Sequence, residues 1–262
     1  MSAQPPIRLL LVPAFTELEW AIRPRLEEWA EVASLDMPGV GDTPIPAGVD
    51  PDAATPRDLL PLWRAAGAEA ALRVVDELGW GRFFVVSDDL GAPTAAAVAR
   101  ERRDAVRGLA LGHASLSHAT EGERAPMNPM IWDVMLQLAR QGNEQFVRYG
   151  IAQATRGGVT EEVAQQMVER FPDMELVTAT FEALTQHDES IGEDLAALEV
   201  PMLFGKHEGC LGRTEEGFED VVAAFPDAET VVCPESCSAS PAFAEALRGF
   251  CERVAAAEPA GR

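Results

Sequence analysis

The sequence predicts an α/β protein, a mostly parallel sheet with helices on both faces and a helical cap inserted into it. Three observations carry this. Short apolar runs alternate with longer amphipathic stretches from Ile7 to Leu111, the rhythm of a parallel sheet crossed by helices. The same alternation resumes at Pro201. Between Ala119 and Leu198 the segments read as helical and show no strand pattern. The expected division is a core of residues 1–118 and 199–262, with a cap of residues 119–198.

Taken in order, Ile7 to Val12 is an unbroken apolar run, the pattern of a strand covered on both faces. Pro13 ends it. Trp20 to Ala30 is amphipathic and reads as a helix, with Trp20, Leu26, Trp29 and Ala30 on one side. Glu31 to Leu35 is a second strand. Asp36-Met-Pro-Gly-Val-Gly-Asp42 is a loop by its Pro and Gly content, and Pro44 to Pro56 is irregular. Asp58 to Leu78 reads as a long helix closed by Gly79-Trp-Gly81. Phe83 to Val86 is a strand, Thr94 to Arg103 an Ala-rich helix, and Arg107 to Leu111 a strand. The cap offers helices over Pro129–Arg140, Asn143–Thr155, Thr160–Phe171 and Met174–His187. Strands at Pro201–Phe204 and Glu229–Cys233 follow, with helices around Thr214–Phe225 and Ala242–Ala257.

Bulk composition narrows the function. With 262 residues the chain is long enough for a substantial core. It carries 21 basic against 43 acidic residues, a net charge of −22. An acidic surface argues against nucleic acid and anionic membranes as partners, because phosphate binding needs a basic face. No apolar run approaches the roughly 20 residues of a membrane span. The N-terminal residues lack the pattern of a signal peptide, so a cytoplasmic location is expected. Cys210, Cys233, Cys237 and Cys251 fit no zinc spacing and read as free thiols. No metal cluster, phosphate loop or nucleotide motif stands out, and no cofactor is expected.

The chemistry concentrates in Ser87-Asp-Asp-Leu-Gly91, between the strand at Phe83 and the helix at Thr94. Strand, tight turn and helix form the setting of a nucleophile elbow, which pushes one side chain out above the sheet. The usual pattern is Gly-x-Ser-x-Gly. Here the central residue is Asp89, so the group presented is a carboxylate. Its neighbour Asp88 is either a second pocket acid or a salt-bridged loop acid.

These residues resemble the α/β-hydrolase superfamily, and the likeness runs through nearly the whole chain. Leu10-Leu-Val-Pro-Ala-Phe15 looks like its first core strand and oxyanion loop. Asp36-Met-Pro-Gly-Val-Gly-Asp-Thr43 is close to its Asp-x-Pro-Gly-x-Gly-x-Ser loop, and Pro201 to Glu208 looks like the strand leading to its acid. An elbow aspartate is similar to that of epoxide hydrolases and haloalkane dehalogenases. The resemblance implies an α/β-hydrolase fold and a carboxylate that attacks carbon to form an ester, which activated water then hydrolyses. It implies an oxyanion hole from the N–H groups of Phe15 and Leu90. Glu208 stands at the position of the acid.

The departures are equally specific. The loop after the last strand, Cys233-Pro-Glu-Ser-Cys-Ser-Ala-Ser-Pro241, holds Ser238 where the family has its histidine, and no histidine follows His207. His113, after the strand at Arg107, is the leading substitute acid or base. His118, His207 and His187 come behind it. Leu90 replaces the dehalogenase tryptophan. Tyr149 is the single tyrosine, where epoxide hydrolases use two in the cap. Trp132, Tyr149, Asp88 and Ser238 are the candidate pocket residues. Three readings stay open for a small organic substrate. They are a hydrolase using Asp89 as nucleophile, a cyclase, lyase or isomerase using Asp89 as acid or base, and a binding protein without chemistry.

Overall fold

The computed structural model describes residues 6–45, 56–116, 128–151, 159–171, 174–186, 191–210 and 214–257. Six strands form one sheet: β1 (Arg8–Val12), β2 (Glu31–Ser34), β3 (Phe83–Asp88), β4 (Val106–Gly112), β5 (Met202–His207) and β6 (Glu229–Cys233). The order is β2-β1-β3-β4-β5-β6, and every pairing is parallel.

The two-residue period of the strands separates two apolar layers. Leu10, Val12, Phe83, Val85, Leu109, Leu111 and Met202 face one side, against Ala71 and Val75 of α2 (Pro56–Glu77) and Ala95 and Val98 of α3 (Ala92–Glu101). Leu9, Leu11, Phe84, Val86, Ala110 and Leu203 face the other. There they meet Leu26 of α1 (Arg23–Glu27) and Phe243, Leu247 and Phe250 of α10 (Pro241–Ala257). Each Val, Leu, Phe or Met side chain among them contributes about 1.5–3 kcal/mol on full burial. Double-sided burial explains why these strands read as continuous apolar runs.

Between β4 and β5 lie α4 (Pro129–Gln141), α5 (Asn143–Gln145), a π-helical turn (Phe146–Ile151), α6 (Glu161–Arg170), α7 (Glu175–Gln186) and α8 (Gly192–Ala196). The helix α9 (Glu215–Ala224) joins β5 to β6. Helix α7 lies against α2 and α4. None of the described helices is long and apolar enough to cross a membrane.

Two segments differ from the expected pattern. The helix expected over Trp20–Ala30 is only α1, preceded by a 3-10 turn at Glu17–Glu19. Pro24 sits in the first turn of α1, where its missing N–H costs nothing, and cannot continue a helix begun upstream. The apolar side forms regardless, with Trp20 and Leu26 buried. The helix expected from Asn143 widens after Gln145 into the π turn, and residues 152–158 lie outside the described part.

The Asp36–Asp42 loop joins the helical insert to the sheet. Buried Asp36 accepts from Thr16 Oγ1 at 2.8 Å and from the Glu17 N–H at 2.9 Å, and pairs with Arg170 at the end of α6. The Arg170 carbonyl in turn accepts from the Gly41 N–H at 2.8 Å. Gly41 has φ of +55°, and a Cβ there would be driven into the Asp36 carboxylate. Only glycine satisfies both demands.

Candidate active site

Because the sheet is parallel, β1, β3, β4, β5 and β6 release their following loops on one edge, where ligands bind in open α/β sheets. This brings residues far apart in sequence together. Val86 and Ser87 at the end of β3 are buried, and Ser87 Oγ donates to the Val12 carbonyl at 2.8 Å. The chain then turns sharply. Asp89 has φ of +47°, in the left-handed region that side chains avoid at a cost of about 1–2 kcal/mol. Aspartate tolerates it better than most. Gly91 passes so near the loop after β1 that a Cβ would lie 2.5 Å from the Pro13 carbonyl oxygen. Helix α3 begins immediately after. The local backbone is that of a nucleophile elbow with Asp89 at its apex.

Asp88 is buried, at 7% exposure. Its Oδ1 lies 2.9 Å from His113 Nδ1. Its Oδ2 accepts from the Ser238 N–H at 3.0 Å and the Ser236 hydroxyl at 3.3 Å. His113 Nε2 lies 3.0 Å from His207 Nδ1. Burial opposes the charge on both members of the Asp88–His113 pair. Their mutual attraction outweighs it, lowering the Asp88 carboxyl and raising His113 well above the ordinary histidine range. Asp88 therefore fixes His113 with its Nδ1 proton inward. The second ring contact needs one proton between the two imidazoles. His113 itself has φ of +45°, a second strained residue at this edge.

The loop after β1, expected to supply an oxyanion donor, is occupied by a residue that sequence reasoning passed over. Glu19 is buried, and its carboxyl accepts from the backbone N–H groups of Ala14 at 3.0 Å, Phe15 at 3.1 Å and Thr16 at 3.1 Å. Burial pushes its carboxyl up to about 8, against the three N–H donors, with the charge of Asp88 adding to the rise. The available signal was Thr16-x-x-Glu19, a capping box, which the structure forms in full. Nothing in that motif reports that the same carboxyl would reach Phe15.

The other expected site residues are dispersed. Ser238 is buried, and its hydroxyl lies 3.0 Å from that of Ser236. Its N–H serves Asp88. Trp132 and Leu90 are buried in an apolar cluster with Phe15, Trp63, Phe146, Phe171 and Phe181. Phe15 stacks on Phe181 with ring centroids 5.7 Å apart, and Trp132 meets Phe181 at 5.3 Å. Tyr149 is 59% exposed. Glu208 is exposed, its N–H bonded to the Cys233 carbonyl at 2.7 Å. His118 and His187 lie outside the described residues.

A cleft of about 350 Å³, including its open mouth, lies at the ends of β4 and β5. It is lined by His113, Ser115, His207, Cys210, Thr214 and Phe218 among others. Asp89, Trp132 and Tyr149 are not on its wall. Among the described residues, His113, His207 and Cys210 form one group able to hold a metal ion, and Asp88, His113 and Cys237 another. None of the four cysteines is in a disulfide.

No protein-family model and no curated protein matches the chain. Solved structures do. A bromoperoxidase from Bacillus anthracis superimposes with a TM-score of 0.71 at 12% identity, over 95% of this chain and 92% of that one. A loop variant of a haloalkane dehalogenase from Bradyrhizobium elkanii gives 0.67 at 17% identity, over 98% and 92%. The enol-lactonase from Burkholderia xenovorans gives 0.66 at 17% identity, over 96% and 94%. At these identities the likeness is one of architecture, and it agrees with the parallel sheet, the elbow after β3 and the helices between β4 and β5: the chain has the α/β-hydrolase fold.

Proposed function

We propose that the protein is an enzyme that acts on a small organic substrate through Asp89, in the manner of an epoxide hydrolase or dehalogenase. The observation that carries this reading is the left-handed φ of +47° at Asp89, directly after β3. Strain of this kind is kept where surrounding structure holds it in place, and such positions cluster at functional sites. In the cycle, one Asp89 oxygen attacks an sp3 carbon, and the bond to halide or epoxide oxygen breaks. A halide departs as the ion; an epoxide oxygen leaves as the alkoxide and takes up a proton from solvent water. Water then adds to the ester carbonyl and gives its proton to the uncharged form of the His113–His207 pair, which Asp88 orients and whose resulting charge it balances. Collapse of the tetrahedral species releases the alcohol and leaves a water-derived oxygen in Asp89. The fold shared with a haloalkane dehalogenase supports this reading.

One observation favours a second reading, a non-hydrolytic cyclase, lyase or isomerase. The Phe15 N–H, a donor expected to serve the tetrahedral species, is bonded to Glu19 at 3.1 Å. With that donor engaged, ester hydrolysis loses support that is commonly worth about 2.7–4 kcal/mol. Asp89 then serves as a general base, and no ester forms. Asp89→Asn tests both readings against a panel of epoxides, alkyl halides and elimination substrates. Turnover is expected to fall by about 100-fold or more, the scale of a lost acid–base group; unchanged turnover overturns both.

A further inference from the structure

The ends of β4 and β5 carry a donor set that adds Cys210 to the His113–His207 pair invoked beside Asp89. His113 follows β4, His207 closes β5, and Cys210 follows a turn in which its N–H bonds to the His207 carbonyl at 3.3 Å. One ligand atom from each of the three lies within 4.8 Å of the other two. The imidazoles are 3.0 Å apart at His113 Nε2 and His207 Nδ1, with their rings inclined at 77° rather than stacked.

From this geometry we infer that His113, His207 and Cys210 form a binding site for a borderline-soft divalent ion such as zinc. Two imidazoles and a thiolate suit zinc, which takes tetrahedral nitrogen and sulfur ligands. Tetrahedral bonds of about 2.05 Å put two nitrogens about 3.3 Å apart, so the rings need to part by only a few tenths of an ångström. Asp88 supplies the outer support such sites use. Its carboxylate holds the other nitrogen of His113 at 2.9 Å, which orients the ring with Nε2 toward the ion. The cleft gives an entry path and leaves the fourth position open on its side. On binding, the thiol proton of Cys210 and the proton between the rings leave the contact.

The neighbouring group of Asp88, His113 and Cys237 is the weaker choice. Both oxygens of Asp88 are engaged by His113, Ser236 and Ser238. An ion competes with water activation for His113 Nε2. Metal binding is therefore read without turnover and stands whether or not Asp89 forms an ester.

The test uses untagged full-length protein, stripped by dialysis against a chelator and titrated with zinc against a chromophoric competitor, then with cobalt. One ion per chain is expected, with a thiolate-to-cobalt charge-transfer band in the near ultraviolet. Cys210→Ser should abolish the band and, like His207→Ala, weaken zinc binding by roughly 10- to 100-fold or more. Failure to saturate at one ion per chain overturns the site. So does binding whose affinity and spectrum survive both substitutions. Should His207→Ala fail to fold, alkylation of Cys210 in the unaltered protein decides. Zinc is expected to slow alkylation by about tenfold or more through capture of the thiolate, and an equal rate with and without zinc overturns the assignment.

Discussion

Glu19 Oε1 accepts the N–H of Phe15 at 3.1 Å. A protein carboxyl thus sits on the N–H expected from the sequence to face a substrate oxygen. Glu19→Ala leaves three buried N–H groups without that partner, each costing about 1–3 kcal/mol. A loss of roughly 3 kcal/mol or more is expected in urea unfolding. A loss under about 1 kcal/mol would show that the three N–H groups find other partners.

The same carboxyl sets a pH dependence. Its folded value of about 8 lies above the ordinary 4.5. Between those values the folded chain holds a proton that the unfolded chain releases, so stability falls as pH rises through that window. The contribution of this group reaches about 5 kcal/mol at most, using about 1.4 kcal/mol per unit. Unfolding free energies of the parent and Glu19→Gln, compared from pH 5 to 8, should converge or cross as the parent loses stability. A constant difference would mean that Glu19 does not titrate there.

Asp88 neutralises His113 in a buried setting, so removing it leaves an uncompensated charge. Asp88→Ala is expected to cost about 3–5 kcal/mol. The measurement is the unfolding midpoint at constant m-value, read beside Ser236→Ala, which loses a 3.3 Å contact to Asp88 and a 3.0 Å contact to the Ser238 hydroxyl but removes no charge, and should cost about 1–2 kcal/mol.

Arg170 ties the insert to the sheet through Asp36, and also approaches Glu17 at 3.4 Å. Arg170→Met is expected to raise hydrogen exchange in α6 and in the Asp36–Asp42 loop while β3 and β4 stay protected. Gly41→Ala should be worse than a simple left-handed penalty of about 1–2 kcal/mol, because its methyl also meets Asp36. Equal exchange in the Arg170 variant would show that the insert is held by its aromatic cluster alone.

Much of this architecture was legible because it is local. Runs such as Leu9–Val12 and Phe83–Val86 are apolar on both faces, and the six strands follow them to within a few residues. Gly91 and the acids before it marked the elbow. The segment from Trp20 misled because amphipathic spacing outweighed Pro24 in the reading, and α8 was too short to announce itself. The site was less legible because its contacts are long-range. Asp88 reaches Ser238 across 150 positions, and His113 reaches His207 across 94. No spacing rule joins such residues; only the common edge of β3, β4, β5 and β6 does. Composition and motif placed Asp89, while the partners of Asp88 and the reach of Glu19 depended on how the loops close.

The most direct test of Asp89 as nucleophile is a single turnover in heavy-oxygen water with enzyme in excess over an epoxide or alkyl halide. The peptide containing Asp89 should gain one heavy oxygen, while the first alcohol released carries none. Substrate consumption with an unlabelled Asp89 peptide would contradict the covalent cycle and leave Asp89 as a base.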